Sequence, residues 1–198
     1  MACGRGAEIS GEGEADDALL ARAAAGDGAA ARILALRHLP RVLAVAERML
    51  GERAEAEDIA QEAMLRLWRR AEDWQPDGAQ LSTWLYRVAA NLAIDRLRRR
   101  RPGAPLAVLE ALPDPGPGAE TALARRDRAA ALDAALLALP ERQRLAIVLR
   151  HIEELPQEEV ASVMELSVEA VESLLSRGRR SLRAMLLPQR AALGLEGG

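Results

Sequence analysis

Residues 156–186 read PQEEVASVMELSVEAVESLLSRGRRSLRAML, and the pattern of this stretch decides the fold class. In its second half Val171, Leu174, Leu175, Leu182 and Met185 recur at helical spacing on one side. Glu169, Glu172, Ser173, Ser176, Arg177, Arg180 and Arg183 take the opposite side. Ser167 stands where an N-cap belongs, and Pro156 suits the first turn of a preceding helix. A short turn at Glu165-Leu166 joins the two, which predicts a helix–turn–helix. A recognition helix presents its N-terminal outer residues to a major groove. Here those are Glu and Ser, with Arg following: Glu can accept from a cytosine amino group, though it repels phosphate, and Arg suits guanine or phosphate. The same geometry serves pure packing elsewhere, so alone it leaves both roles open.

Upstream the chain stays helical. Residues 120–153 are expected to be helical apart from a break at Leu139-Pro140. Residues 102–121 contain Pro102, Pro105, Pro113, Pro115 and Pro117 among glycines, the composition of a linker. Before it lie a short helix from Asp16 or Asp17 as cap to about Ala25, and a second from Ala29 to Leu50, interrupted or kinked at Pro40. A third follows from Ala54 to Ala71, then a loop at 74–78, then a fourth capped by Ser82 and running to Arg101. The expectation is an all-α chain of two small helical domains. Residues 1–14 are expected to form a disordered tail, 15–101 the first domain, 102–121 the linker, 122–188 the helix–turn–helix domain, and 189–198 a C-terminal tail.

Composition narrows the function. Of 198 residues, 49% are apolar and 29% charged, which suits a buried core in a soluble protein. Cys3 is the only cysteine, so no internal disulfide or multi-thiolate site can form, and His38 and His151 lack metal-ligand spacing. No metal and no cofactor are expected. No phosphate loop and no nucleophile with a plausible base are present, so catalysis is not expected either. No apolar run approaches the ~20 residues of a membrane span. The polar, acidic N-terminus does not resemble a secretory signal, so the expected location is the cytoplasm. All 27 basic residues are Arg, and the net charge of −3 conceals two clusters that each close a long helix. One is Arg96 with Arg98 to Arg101; the other is Arg177, Arg179, Arg180 and Arg183.

Two further helices have readable faces. In DIAQEAMLRLW, residues 58–68, Ile59, Ala60, Ala63, Met64 and Leu67 face one way, and Asp58, Gln61, Glu62 and Leu65 the other. A core face and a solvated face account for most of this pattern. Leu65 among acids is the exception, and it suits docking onto a basic partner helix. In LSTWLYRVAANLAIDRLRRRR, residues 81–101, Trp84, Leu85, Val88, Ala89 and Leu92 form the inward stripe, while Arg87, Asn91 and Arg98 align elsewhere. Arg and Asn make two-pronged contacts to base edges and phosphates. Trp84 and Tyr86 sit beside the loop, where rings can stack on unpaired bases; a core role for Trp84 is the plainer reading.

These three stretches, in this order and separated by a Pro/Gly linker, resemble the extracytoplasmic-function (ECF) sigma factors, short members of the bacterial sigma-70 family. DIAQEAMLRLW is similar to their core-polymerase-binding segment, of the form D-hydrophobic-x-Q-E followed by Trp. The second stretch is similar to their promoter-melting helix, and residues 139–186 to their −35-binding domain. The resemblance spans residues 16–187. It implies that Asp58, Gln61, Glu62, Leu65 and Trp68 engage core RNA polymerase, at the clamp helices of the β′ subunit, with the β subunit a further contact. It implies that Trp74, Gln80, Ser82, Trp84, Arg87, Asn91, Arg98 and Arg99 contact the −10 element of promoter DNA, with the loop at 74–81 taking a flipped base. It assigns Glu169, Glu172, Ser173, Ser176, Arg177 and Arg180 to the −35 element, and an anti-sigma factor as a further partner.

Four positions depart from the family pattern: Glu172, Leu174, Glu165 and Leu81. Val171-Glu172-Ser173-Leu174-Leu175 stands where many relatives have V-K-S-R-L, which suggests an altered −35 preference. Glu165 occupies the usual turn glycine, and Leu81 stands where Phe is common. The competing function is a stand-alone helix–turn–helix regulator that binds duplex DNA without polymerase. A net charge of −3 counts against it, because affinity for DNA scales with the phosphates a protein neutralises.

Overall fold

The computed structural model describes residues 14–75, 80–100 and 119–189, and all its regular elements there are helical. In order these are α1 (Asp16–Ala24), α2 (Gly28–Leu50), α3 (Arg53–Arg70) and α4 (Leu81–Arg99), then α5 (Ala119–Leu137), α6 (Glu141–Ile147), α7 (Gln157–Met164) and α8 (Val168–Leu186). A 3₁₀ turn at Ala71–Asp73 follows α3, and a π turn at Val148–Ile152 extends α6.

Helix α2 is the axis of the first unit and packs on α1, α3 and α4. The Asp27 carboxylate starts it by accepting from the Ala29 and Ala30 amides at 2.9 and 3.2 Å. Gly51 ends it in the left-handed region at φ 70°. Helix α2 runs through Pro40 without interruption. The proline is exposed, so the carbonyl it leaves unpaired one turn earlier can turn to water. Short α1 could not persist alone. It is held by Leu19 and Leu20, both fully buried and each worth roughly 2 kcal/mol. Asp16 adds polar bonds to Arg37 and to His38, each at 2.7 Å.

Two expected caps and one first-turn proline fall elsewhere. Helix α1 begins after Ala15, leaving Asp16 and Asp17 in its first turn, where carboxylates favour the helix dipole. Gln80, not Ser82, precedes α4, and Pro156 precedes α7 instead of lying within it. Ser167 does cap α8, accepting from the Ala170 amide at 3.2 Å. The expected linker falls almost wholly outside the described residues, though α5 already begins at Ala119.

The second unit crosses α8 over α6 at a buried glycine. A Cβ on Gly178 would lie 3.0 Å from Ile147 Cγ1, so the absence of a side chain sets this approach. The turn between α7 and α8 passes through Glu165 at φ 54°, ψ 47°, a left-handed conformation that a side chain disfavours.

The two units are in contact. Arg144 of α6 is buried and donates to the Met49 carbonyl of α2 and to the Leu137 and Leu139 carbonyls of its own unit, the last at 3.1 Å. Burial lowers its pKa to about 10, so it stays charged at neutral pH. Its Nε has no hydrogen-bond partner among the described residues. At Gly51 a Cβ would come within 2.6 Å of the Leu137 side chain, so the same glycine serves both the α2 terminus and the junction. Arg48 pairs with Asp133 at 3.0 Å beside it. Along the same seam, α4 packs on α7.

Candidate nucleic-acid interface

Helix α3 presents the face its sequence pattern predicts. Ile59, Ala60, Ala63, Met64 and Leu67 are buried, whereas Asp58, Gln61 and Leu65 are exposed and Glu62 is half-exposed. Leu65 keeps 48% of its surface accessible, an apolar side chain beside acids. Arg66 bonds Glu62 at 2.8 Å and holds its carboxyl below the usual range, so the face stays anionic. Trp68 is half-buried and packs on the core, giving this surface a rigid edge.

The outer side of α4 adjoins it. A groove of about 250 Å³ between α3 and α4 is lined by residues that include Asp58, Glu62, Asn91 and Arg99. The structure thereby brings two residues expected to meet polymerase together with two expected to meet DNA. Within the Arg cluster closing α4, the side chains divide. Arg96 lies 3.4 Å from Glu55 and ties α4 to α3, while Arg100 bonds Glu55 and donates to the Leu50 carbonyl at 2.9 Å, tying the end of α4 to both α3 and α2. Arg98 and Arg99 are exposed. Among the described residues Arg98 has only a loose pair with Asp95 at 4.0 Å, which leaves its guanidinium open to a phosphate there.

At the start of α4, Trp84 is half-buried and meets Trp74 edge-on, with centroids 5.9 Å apart and planes at 84°. The Trp74 indole N–H donates to Asp17 Oδ1 at 2.9 Å. Gln80 is exposed, and Ser82 lies 3.5 Å from its side-chain oxygen. Residues 76–79 of the loop expected to take a flipped base lie outside the described residues.

The inward stripe of α4 differs from expectation. Trp84, Val88 and Leu92 are only half-buried, whereas Leu81, Thr83, Tyr86, Ala90 and Ala93 join Leu85 and Ala89 in full burial. Tyr86 is 2% exposed, so it cannot offer a face to a base. Its hydroxyl donates to Glu153 at 2.9 Å, across to the second unit. Burial and the Glu153 charge push its pKa well above the usual value, which keeps it the donor. Arg87 is likewise engaged across the seam, 3.4 Å from Ser162 Oγ and 3.7 Å from Glu165. Asn91 remains exposed.

Helix α8 keeps its outer face open. Glu169, Glu172, Ser173, Ser176, Arg177 and Arg180 are all exposed, while Val171, Leu175 and Gly178 are buried. Arg177 donates to the Ser173 carbonyl at 3.1 Å, laying its side chain along the helix surface. The Glu169 backbone N–H, and after it the Ser167 hydroxyl, hold the Glu169 carboxyl below the usual range. Sequence reasoning missed Asp17, Tyr86–Glu153 and Arg144, because each acts across elements far apart in the chain.

Comparison with known proteins decides the family. Residues 34–102 match the model for sigma-70 region 2, and residues 129–182 match that for sigma-70, region 4. The ECF RNA polymerase sigma factor SigW of Bacillus subtilis is 36% identical over 149 residues, 70% of this chain and 79% of that protein. The chain belongs to the ECF sigma factors. The RNA polymerase sigma-H factor of Pseudomonas aeruginosa is 32% identical over 185 residues, 88% of this chain and 95% of its own. The structure of CnrH in complex with the cytosolic domain of CnrY matches with a TM-score of 0.64 at 31% identity, over 86% of this chain and 96% of that one. Region 2 of this ECF sigma factor thus takes in most of α2 with α3 and α4, and region 4 runs from Ala129, in the second half of α5, to Leu182 in α8. Family membership sets aside the stand-alone regulator. Among the described residues no helix is long and apolar enough to cross a membrane.

Proposed function

We infer that this chain is an alternative sigma factor that recruits core RNA polymerase to its own promoters and opens them. Its docking surface is Asp58, Gln61, Glu62, Leu65 and Trp68: an acidic face with one exposed leucine, complementary to a basic helical partner such as the β′ clamp helices. Trp74, Gln80, Ser82, Trp84, Arg87, Asn91, Arg98 and Arg99 receive the −10 element, rings serving unpaired bases and forks serving edges and phosphates. Glu169, Glu172, Ser173, Ser176, Arg177 and Arg180 read the −35 duplex. The domains divide as 15–101 and 122–188, with 102–121 as tether. The observation that carries this reading is the acidic, leucine-bearing face of α3 sharing a groove with Asn91 and Arg99, so that holding polymerase places α4 beside the strand it must open.

The work is binding energy without covalent chemistry, done in the cytoplasm. Unstacking a base costs a few kcal/mol, which contacts to the extruded base offset. Promoter elements two turns of B-DNA apart lie about 70 Å from one another. Of the tether, the 17 residues from Pro102 to Gly118 precede α5 and reach at most roughly 60 Å, so engaging both elements needs a nearly straight tether and a parted α4–α7 seam. An anti-sigma factor controls the protein, in keeping with its likeness to CnrH, solved with the cytosolic domain of CnrY.

Purified with core polymerase, the wild-type protein is expected to co-elute stoichiometrically and to start RNA synthesis at cognate promoters. The Asp58→Arg/Glu62→Arg double variant should lose co-elution while melting within about 1 kcal/mol of wild type, since both side chains are surface groups. Co-elution unchanged in the double variant overturns the docking face. Failure of the wild type to direct initiation overturns the function.

A further inference from the structure

Two tryptophans flank the start of α4, and one is held by a helix that the sequence reading left without a role. The two carboxylates in the first turn of α1 do different work. Asp16 is committed to Arg37 and His38, which fasten α1 onto α2. Asp17 makes no ion pair among the described residues; its carboxylate accepts from the Trp74 indole at 2.9 Å. A charged acceptor makes a stronger bond to an N–H than a neutral one. Buried Leu19 and Leu20 root α1 in the core, so Asp17 is a fixed anchor. Trp74 needs one, because the terminal torsion of an indole is broad. With Asp17 in place, the ring stands at 84° to Trp84 and both rings keep exposed surface.

The charge around this pair bears on what can approach it. Asp17, Glu72 and Asp73 are all exposed, and three carboxylates near Trp74 disfavour a phosphate there. The rings are left to meet the uncharged part of a nucleotide. We propose that Asp17 is a positioning residue for an unpaired nucleobase of the promoter strand: it sets the Trp74 plane, and through it the Trp74–Trp84 pair, as one wall against which the base stacks. This rests on the reading that the start of α4 receives the opened −10 strand. Asp17 touches no DNA. Its contribution is the orientation of the ring.

The test uses full-length protein in holoenzyme with core polymerase, and fork-junction DNA whose −10 non-template strand is single-stranded. Affinity is compared between the intact probe and probes made abasic at each −10 position, and the ratio reports stacking and base contact together. Asp17→Ala is expected to lower the largest ratio about fivefold. Asp17→Asn, which keeps the acceptor and removes the charge, should stay within twofold of wild type. A purely electrostatic role for Asp17 would instead make asparagine behave like alanine, and that result overturns the proposal. Should alanine loosen α1, Asp17→Ser keeps a residue favoured at helix starts yet is too short to reach the indole, and should reproduce the loss. A wild-type ratio in both short variants overturns the role of Asp17 when Trp74→Ala loses the ratio. A wild-type ratio in Trp74→Ala and Trp84→Ala as well shows instead that the base-stacking reading itself has failed.

Discussion

Helices α4 and α8 are both 19 residues long, both carry arginines and both are expected to face promoter DNA, yet their outer surfaces differ. Every expected contact on α8 is exposed. On α4 the outer surface is divided: Asn91, Arg98 and Arg99 are open, while Arg87 and Tyr86 are held by Ser162, Glu165 and Glu153 of region 4. Region 4 covers part of the α4 surface proposed for DNA and leaves its own proposed surface free. The face of α3 is open as well, so the polymerase docking proposed there would not compete with the α4–α7 seam.

The largest expected effect lies at the residue that joins the two units. Arg144 satisfies three carbonyls drawn from α2, the end of α5 and the loop after it. Arg144→Met keeps length and apolar packing but leaves those acceptors without their donor, and an unsatisfied buried acceptor costs roughly 1–3 kcal/mol. Partial access of water after rearrangement brings the expected loss to about 3 kcal/mol, read as a lower urea midpoint. A midpoint within error of wild type would mean that the guanidinium bonds contribute nothing net beyond its own desolvation.

The same comparison explains what the sequence could disclose. The faces of α3 and α8 were legible because each of these helices buries a single stripe, and periodicity reports a single stripe well. Helix α4 is buried twice, once within region 2 and once beneath α7. Its second burial falls on Tyr86 and Arg87, which look like a polar, loop-facing surface when only neighbours in sequence are considered. Arg144 was illegible for a related reason: beside the apolar run Leu145 to Leu149 it resembles the hydrophilic edge of an amphipathic turn, and only the folded chain brings the Met49 carbonyl of α2 together with those of Leu137 and Leu139 around it. The caps shifted by one or two residues because Ser82 and Pro156 are compatible with several positions in a first turn, and packing of the helices chose among them.

On the open face, substitution should change recognition without changing stability. Glu172 is exposed and has no ion pair among the described residues, so Glu172→Lys replaces a charge that repels phosphate with one that attracts it. The expected result is a changed set of winners from a randomised −35 library and about tenfold tighter promoter binding at low salt, with denaturation unchanged within about 0.5 kcal/mol. Identical winners for both proteins would remove Glu172 from the readout.

The smallest effect is expected at the seam itself, where strain and pairing coincide in one residue. Glu165 holds a left-handed conformation at φ 54° and reaches Arg87 at 3.7 Å, with 67% of its own side chain exposed. An exposed pair of this kind contributes about 0–1 kcal/mol, whereas the conformation costs a side-chain-bearing residue roughly 1–2 kcal/mol relative to glycine. Glu165→Ala and Glu165→Gly both take the carboxylate from Arg87, leaving it Ser162, but only glycine relieves the turn, at the expense of greater freedom in the unfolded chain. Glycine should therefore exceed alanine by about 1 kcal/mol in chemical denaturation, while the two bind a −10 fork probe equally, each slightly tighter than wild type. Equal stabilities would show that the turn tolerates alanine and that Glu165 carries no backbone strain. Fork binding below wild type in both would show that the carboxylate helps Arg87 engage DNA instead of competing for it. The pair of substitutions separates the two energies because they share the loss of charge and differ only in the backbone.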